Sequence, residues 1–267
     1  MVLFRMTSIT FRLAVVAAMA LGLSLCPIIA AAAEAEQYPI WWSPALELES
    51  LDKIDERLRR RLWPGDEYGL PMFRILTGKK IRIEVENCVS LERRLAERYE
   101  GVGNNNHKLS VYHTAWCGAV RMLQDAKPAK VGYLRNFVMD ADSVDYLPAL
   151  LNIFDSCQGI CRRYRANEEG IPLGRFEPDF DVEVVSRHEI KGWSDDETFS
   201  VEIVGRADFD GDTVDDLLVI AGAAATKGTA GGTRLFLLSQ ESSDAILRVL
   251  DAEQHLCPNF LCEYQSE

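Results

Sequence analysis

The chain has 267 residues, with 29 lysines and arginines against 41 aspartates and glutamates, a net charge of −12. Such a surface repels phosphate backbones and anionic lipid heads and attracts cations, which excludes nucleic acid as the expected partner. At 48% apolar residues the length suits one large domain or two small ones, and no internal repeat is present.

In chain order, Arg5 and Arg12 precede the apolar run LAVVAAMALGLSL, and IIAAAAEA then offers small-residue cleavage sites such as Ala31-Ala32-Ala33. This is the pattern of a secretory signal peptide over residues 1–33. A retained anchor competes with it, because Leu13 to Ala33 is an uncharged run of 21 residues. Pro27 breaks that run and alanines dominate its end, so cleavage is the expectation; Leu25 is too large for a lipoprotein site at Cys26. Removal leaves 234 residues at a net charge of −14, in the periplasm or outside the cell. Membrane contact is expected only if the segment is retained.

Ser43 and Pro44 open an expected helix on which Leu51, Ile54, Leu58 and Leu62 recur at helical spacing. Glu47, Glu49 and Asp52 lie early and Arg59, Arg60 and Arg61 late, which complements the helix dipole before WPGDEYGLP ends the element. KIRIEVE alternates as a half-buried strand, and Ser90 to Tyr99 reads as a short helix closed by Gly101. GVGNNNHK reads as a loop, followed by a helix from Thr114 to Ala126 with Trp116, Val120 and Leu123 inward. Asp142 is a cap candidate for a further short helix through SVDYLPALLNIF.

Near Gly170 the character changes. DVEVVSR, TFSVEIVG, DDLLVIAG and TRLFLLS are β-branched or apolar runs between turn residues, which predicts an antiparallel meander, while AILRVLDAE fits strand and helix equally. The expected class is α+β: a helix-rich region over 34–169 and a β-rich region over 170–267, with a shared core left open.

Beyond the signal, six cysteines remain: Cys88, Cys117, Cys157, Cys161, Cys257 and Cys262. An even set in an exported chain predicts disulfides. Close spacing favours Cys157 with Cys161 and Cys257 with Cys262, leaving Cys88 with Cys117. A zinc site is the rival, but neither short pair has the usual two-residue gap.

The most committed stretch is RADFDGDTVDDLLVI, where Asp208, Asp210, Asp212, Asp215 and Asp216 crowd the turn of an expected hairpin. Like charges at that density repel unless a cation sits among them. Alternate positions of a tightly wound loop converge on one point, and Gly211 allows the sharp turn. Ca²⁺ takes six to eight oxygens, which three or four carboxylates, one backbone carbonyl and water supply. An EF-hand fits poorly, since Thr213 and Val219 stand where its glycine and bidentate glutamate belong.

DFDGDTVDDL resembles the calcium loop of FG-GAP repeats, as in integrin α subunits, with the pattern D-x-[DN]-G-D-x-x-x-D-[LI] between two strands of a blade. The match falls on Asp208, Asp210, Gly211, Asp212, Asp216 and Leu217, with Thr213 where the family has a second glycine. The resemblance implies calcium ligation by Asp208, Asp210, Asp212 and Asp216 together with the Val214 carbonyl. A single copy implies a loop and not a propeller. DFDGD is also similar to the first motif of haloacid-dehalogenase phosphatases, whose two aspartates act as nucleophile and general acid. Asp212 replaces the Thr or Val of that motif, and too little chain follows for its later lysine and aspartates.

Weaker signals carry less. GAAATKGT lacks the Gly-Lys-Ser/Thr of a phosphate loop, the four histidines are scattered, and no G-x-S-x-G elbow is present. The expectation is an exported, non-enzymatic binding or interaction protein with a structural calcium loop and a protein or glycan partner. The alternative is a hydrolase whose site is assembled from dispersed residues.

Overall fold

Three long strands set the plan of the molecule, and in the central one both alternating series are apolar. Leu218 and Ile220 join one buried cluster while Leu217 and Val219, their immediate neighbours, join another. A strand of that pattern sits between two covered faces. The structure, a computed structural model, describes residues 37–62, 69–77, 79–152, 157–227 and 230–252. The expected signal peptide at 1–33, most of the WPGDEYGLP break, and Cys257 and Cys262 lie outside the described residues.

The chain is α+β with antiparallel sheets. Strands β1 (Trp41–Trp42), β5 (Asp181–Ser186), β6 (Glu189–Trp193), β7 (Glu197–Ala207), β8 (Asp216–Ala225), β9 (Gly231–Ser239) and β10 (Arg248–Ala252) form a seven-stranded sheet. Its order is β10-β9-β8-β7-β6-β5, and β1 pairs with β7 at Trp41↔Arg206 and Trp42↔Gly205. A bulge between Ile203 and Gly205 shifts the register of β7 against β8 just before the aspartate loop. A smaller sheet, ordered β3-β2-β4, contains β2 (Leu70–Leu76), β3 (Lys79–Val85) and β4 (Glu100–Gly101).

One face of the large sheet carries α1 (Ile54–Arg59), α2 (Cys88–Ala96) and α3 (Gly103–Met122). Leu91, Trp116, Ala119 and Val120 pack there on Val204, Leu218, Ile220, Leu235 and Leu237. A disulfide from Cys88 to Cys117, with Cα atoms 5.5 Å apart, staples α2 to α3. Cys161 is disulfide-bonded as well, but the Cys157 side chain is not among those described.

The other face is covered by irregular chain. Leu134, Met139, Leu147, Leu150, Leu151 and Leu173 come from turns, two short 3-10 segments (Ala141–Asp145 and Ala149–Leu151) and the single-turn α5 (Leu173–Phe176). They meet Val201, Ile203, Leu217, Val219, Phe236 and Leu238. Helix α4 (Cys157–Glu168) lies over this layer, where the buried Arg163 donates to the Ala149 carbonyl at 3.1 Å and pairs with Glu177. Both clusters mix residues from before and after Gly170, so the two regions of the chain share their cores.

Several local expectations need correction. The helix expected from Ser43 to Leu62 is broken: Ser43 caps only a 3-10 turn, Glu47 turns left-handed at φ 49°, and regular helix begins at Ile54. Gly101 belongs to β4 and does not close α2. The GVGNNNHK segment is helical from Gly103, because Asn106 folds its side-chain amide back onto the Val102 carbonyl at 2.8 Å and tertiary packing along α3 overrides its loop composition. Asp140, not Asp142, caps the segment that follows, through a reciprocal box with Ser143. Strands β2 and β6 and helix α4 had no sequence signal strong enough to be named.

Candidate metal centre

The aspartate loop connects β7 to β8, and its winding is set by its own carboxylates. Asp208 accepts from the Gly211 and Thr213 N–H groups at 2.6 and 3.2 Å, Asp210 from Asp212 at 3.0 Å, and Asp212 from Val214 at 2.7 Å. These side-chain turns require left-handed backbone at Gly211 (φ 89°) and at Thr213 (φ 78°). Phe209 packs its ring toward Gly205, where a Cβ would stand 3.3 Å from it. The loop therefore folds back on the sheet.

This winding brings one carboxylate oxygen each of Asp208, Asp210 and Asp216 within 4.8 Å of one another, so the three could hold a metal ion. Asp216 is fully buried and Asp208 nearly so, whereas Asp210 is exposed. One Asp216 oxygen accepts the Phe209 N–H at 3.0 Å, and the other, Oδ1, is buried without a hydrogen-bond partner. Burial pushes the Asp216 carboxyl up to about 6; Ser239 and the Phe209 N–H pull it down, and Asp210 and Asp212 push it further up. A buried carboxylate oxygen left without a donor costs free energy that a cation recovers.

Asp212, expected as a ligand, lies near enough to act on Asp216 by charge while its carboxylate is engaged with Val214. Val214, expected to offer its carbonyl, sits in a parallel bridge with Val131. Asp215 was unassigned in the sequence and has a separate task. It is buried, and its two oxygens accept the Leu134 N–H at 3.1 and 3.2 Å. Burial raises its pKa, against the Leu134 N–H and the charge of Arg206.

The loop is laced to the segment that follows α3. Lys127 and Asp208 exchange backbone hydrogen bonds, the Thr213 carbonyl accepts from Lys130 and Val131, and Asp215 donates to the Val131 carbonyl. Arg206, one residue before the end of β7, donates to the Arg135 and Phe137 carbonyls. No sequence signal links residues 127–137 to the loop, since the link is made by backbone groups that any residue carries.

A second concavity, of about 380 Å³, opens on the helical face beside α3. Lys108, Glu183, Lys191, Trp193 and Ser200 surround it over a floor that includes Gly222 and Ala224. No protein-family model, no curated protein and no solved structure matches this chain.

Proposed function

We propose that this chain is an exported, non-enzymatic binding protein whose central sheet is fastened at one end by a structural calcium ion. The observation that carries the metal reading is the unpartnered, fully buried Oδ1 of Asp216 between two further carboxylates. An all-oxygen donor set of this charge suits a hard cation, and calcium over magnesium because calcium accepts an irregular set of six to eight carboxylate, backbone-carbonyl and water oxygens where magnesium demands a near-ideal octahedron. Asp212, the Val214 carbonyl and water are the candidates to complete six to eight ligands. The Cys88–Cys117 disulfide is compatible with an oxidising, exported location, and no described helix is long and apolar enough to cross a membrane. The concavity around Trp193 supports a binding role with a protein or glycan partner, since a half-exposed aromatic over a small-residue floor offers a stacking surface.

The test is a pair of thermal melts, in chelator and in millimolar calcium, with calorimetric titration of the metal. Calcium should raise the melting temperature by several degrees, and Asp210→Ala or Asp216→Asn should abolish the rise. Coincident melts with no heat of binding would reduce the loop to an acidic turn. The hydrolase alternative has one observation behind it. Glu189 and Glu202 are cross-strand partners, and burial together with the Glu189 charge raises the Glu202 carboxyl. Turnover in a glycosidase panel, lost in Glu202→Gln, would favour that reading.

A further inference from the structure

The β2–β3 hairpin departs from the rest of the chain in both charge and exposure. Residues 71–85 hold four bases and one acid, net +3, so the remaining sequence carries −15. Register pairing puts Phe73 beside Arg82 and Ile75 beside Lys80. Alternation then sorts the hairpin into two faces. Leu70, Met72 and Val85 on one face are buried in the helical core. On the other, Ile75 is 70% exposed; Leu76, one residue on and back on the first face, is 46% exposed at the tip, beyond the reach of the core.

The basic groups surround this apolar tip. Lys79 and Lys80 follow the turn and are exposed, and Lys80 lies over the Phe73 ring at 4.2 Å from its centre. Arg82, also exposed, reaches Glu84 only at 3.9 Å. Arg74 is engaged below the tip, donating to the Glu97 carbonyl at 3.1 Å and stacking on Tyr99. Lysines on an edge strand oppose pairing with another strand, which accounts for Lys79 and Lys80 but not for Ile75 and Leu76 held in water.

We infer that this hairpin tip docks on an anionic lipid bilayer, with Ile75 and Leu76 entering the interface and Lys79, Lys80 and Arg82 at the headgroups. Two apolar side chains at a protruding end, ringed by cations with long aliphatic stems, match the layered chemistry of that interface. A soluble polyanion would use the cations and leave the apolar pair idle. The acidic body does not prevent approach. From Met72 to Leu76 is roughly 13 Å at strand rise, more than one Debye length at physiological salt, so its repulsion is largely screened there. This inference is independent of the calcium site.

The experiment is co-sedimentation of the purified protein with vesicles of phosphatidylcholine alone and of phosphatidylcholine with one part in three phosphatidylglycerol. Binding is expected to the anionic vesicles only and to weaken steeply with added salt. Lys79→Gln with Lys80→Gln should weaken it about 25-fold, a basic side chain near such a surface being worth about a factor of five. Ile75→Ser with Leu76→Ser should weaken it about tenfold with an unchanged melt. If that pair melts lower, Ile75→Thr alone, which keeps a β-branched residue in the strand, carries the test. No binding, or equal binding to neutral vesicles, overturns the proposal. Undiminished binding by the serine pair together with competition by dextran sulfate also overturns it, in favour of a polyanion partner.

Discussion

The two faces of the large sheet are covered by different means. On one, α1 to α3 satisfy their own backbone groups, and the Cys88–Cys117 disulfide joins α2 to α3. On the other, the cover from Leu134 to Leu173 is mostly turns and 3-10 segments, whose N–H and C=O groups need partners from elsewhere. Charged side chains provide them: Asp215 takes the Leu134 N–H, Arg206 meets the Arg135 and Phe137 carbonyls, and Arg163 meets Ala149. The helical cover relies mainly on apolar packing and the Cys88–Cys117 staple, with one buried ion at Arg57, while the irregular cover draws more of its anchoring from charged side chains. The aspartate loop joins the start of the irregular cover through its backbone bridges to Lys127, Lys130 and Val131, so a cation in the loop would steady that attachment.

The largest expected effect falls on the helical face. The disulfide spans a sequence separation of 29 residues, and loop-closure entropy makes it worth about 3 to 4 kcal/mol. Cys88→Ser with Cys117→Ser should lose that much in urea unfolding while the calcium-induced rise in melting temperature persists. Loss of the calcium response as well would mean that the two faces unfold as one unit.

His113 on α3 gives the helical face a pH dependence of nearly the same size. Its burial and the nearby Arg57 charge lower the imidazole pKa from 6.5 to about 4. The fold holds it neutral while the unfolded chain protonates near 6.5. Its contribution is therefore complete above pH 6.5 and declines as the pH falls toward 4, by about 3 kcal/mol. Urea melts across that range should show a shallower decline for His113→Gln than for the parent. Equal slopes would place the acid sensitivity in other groups.

Calcium sharpens the comparison from the irregular side. At one hundred times the dissociation constant, binding adds about 2.7 kcal/mol. The rise in amide-exchange protection should be greatest at Lys127, Val131 and Leu134, whose N–H groups end on the loop. Protection spread evenly over α2 and α3 would break the distinction between the faces.

The smallest effect concerns Thr213, a β-branched residue at φ 78°. Thr213→Gly relieves left-handed strain at the cost of unfolded-chain entropy, for a net gain of about 0.5 to 1 kcal/mol. A loss of stability would show that the threonine side chain supports the loop.

Residue pattern alone determined a good deal. Five of the strands, the α+β class and the Cys88–Cys117 pair followed from alternation, composition and spacing, because these act over a few residues or through a small set of cysteines. The aspartate turn was legible for the same reason, its repeat of carboxylates being local. The FG-GAP-like ligand set, the export route and the partner are proposals that rest on those local signals.

Tertiary structure decided the rest. Asn104 to Asn106 became helix under long-range packing, and the helix expected from Ser43 broke where Glu47 turned left-handed to bring its carboxylate to the buried Arg57 at 3.0 Å. Which aspartates converge was likewise not a matter of spacing. Asp215 and Asp216 are adjacent in sequence and point to opposite sides of β8, one to the cover and one to the trio, because successive strand residues face opposite ways. Residues 127–137 contribute backbone N–H and C=O groups to the link with the loop, Asp215 and Arg206, and chemistry that nearly every residue carries leaves no mark in a sequence.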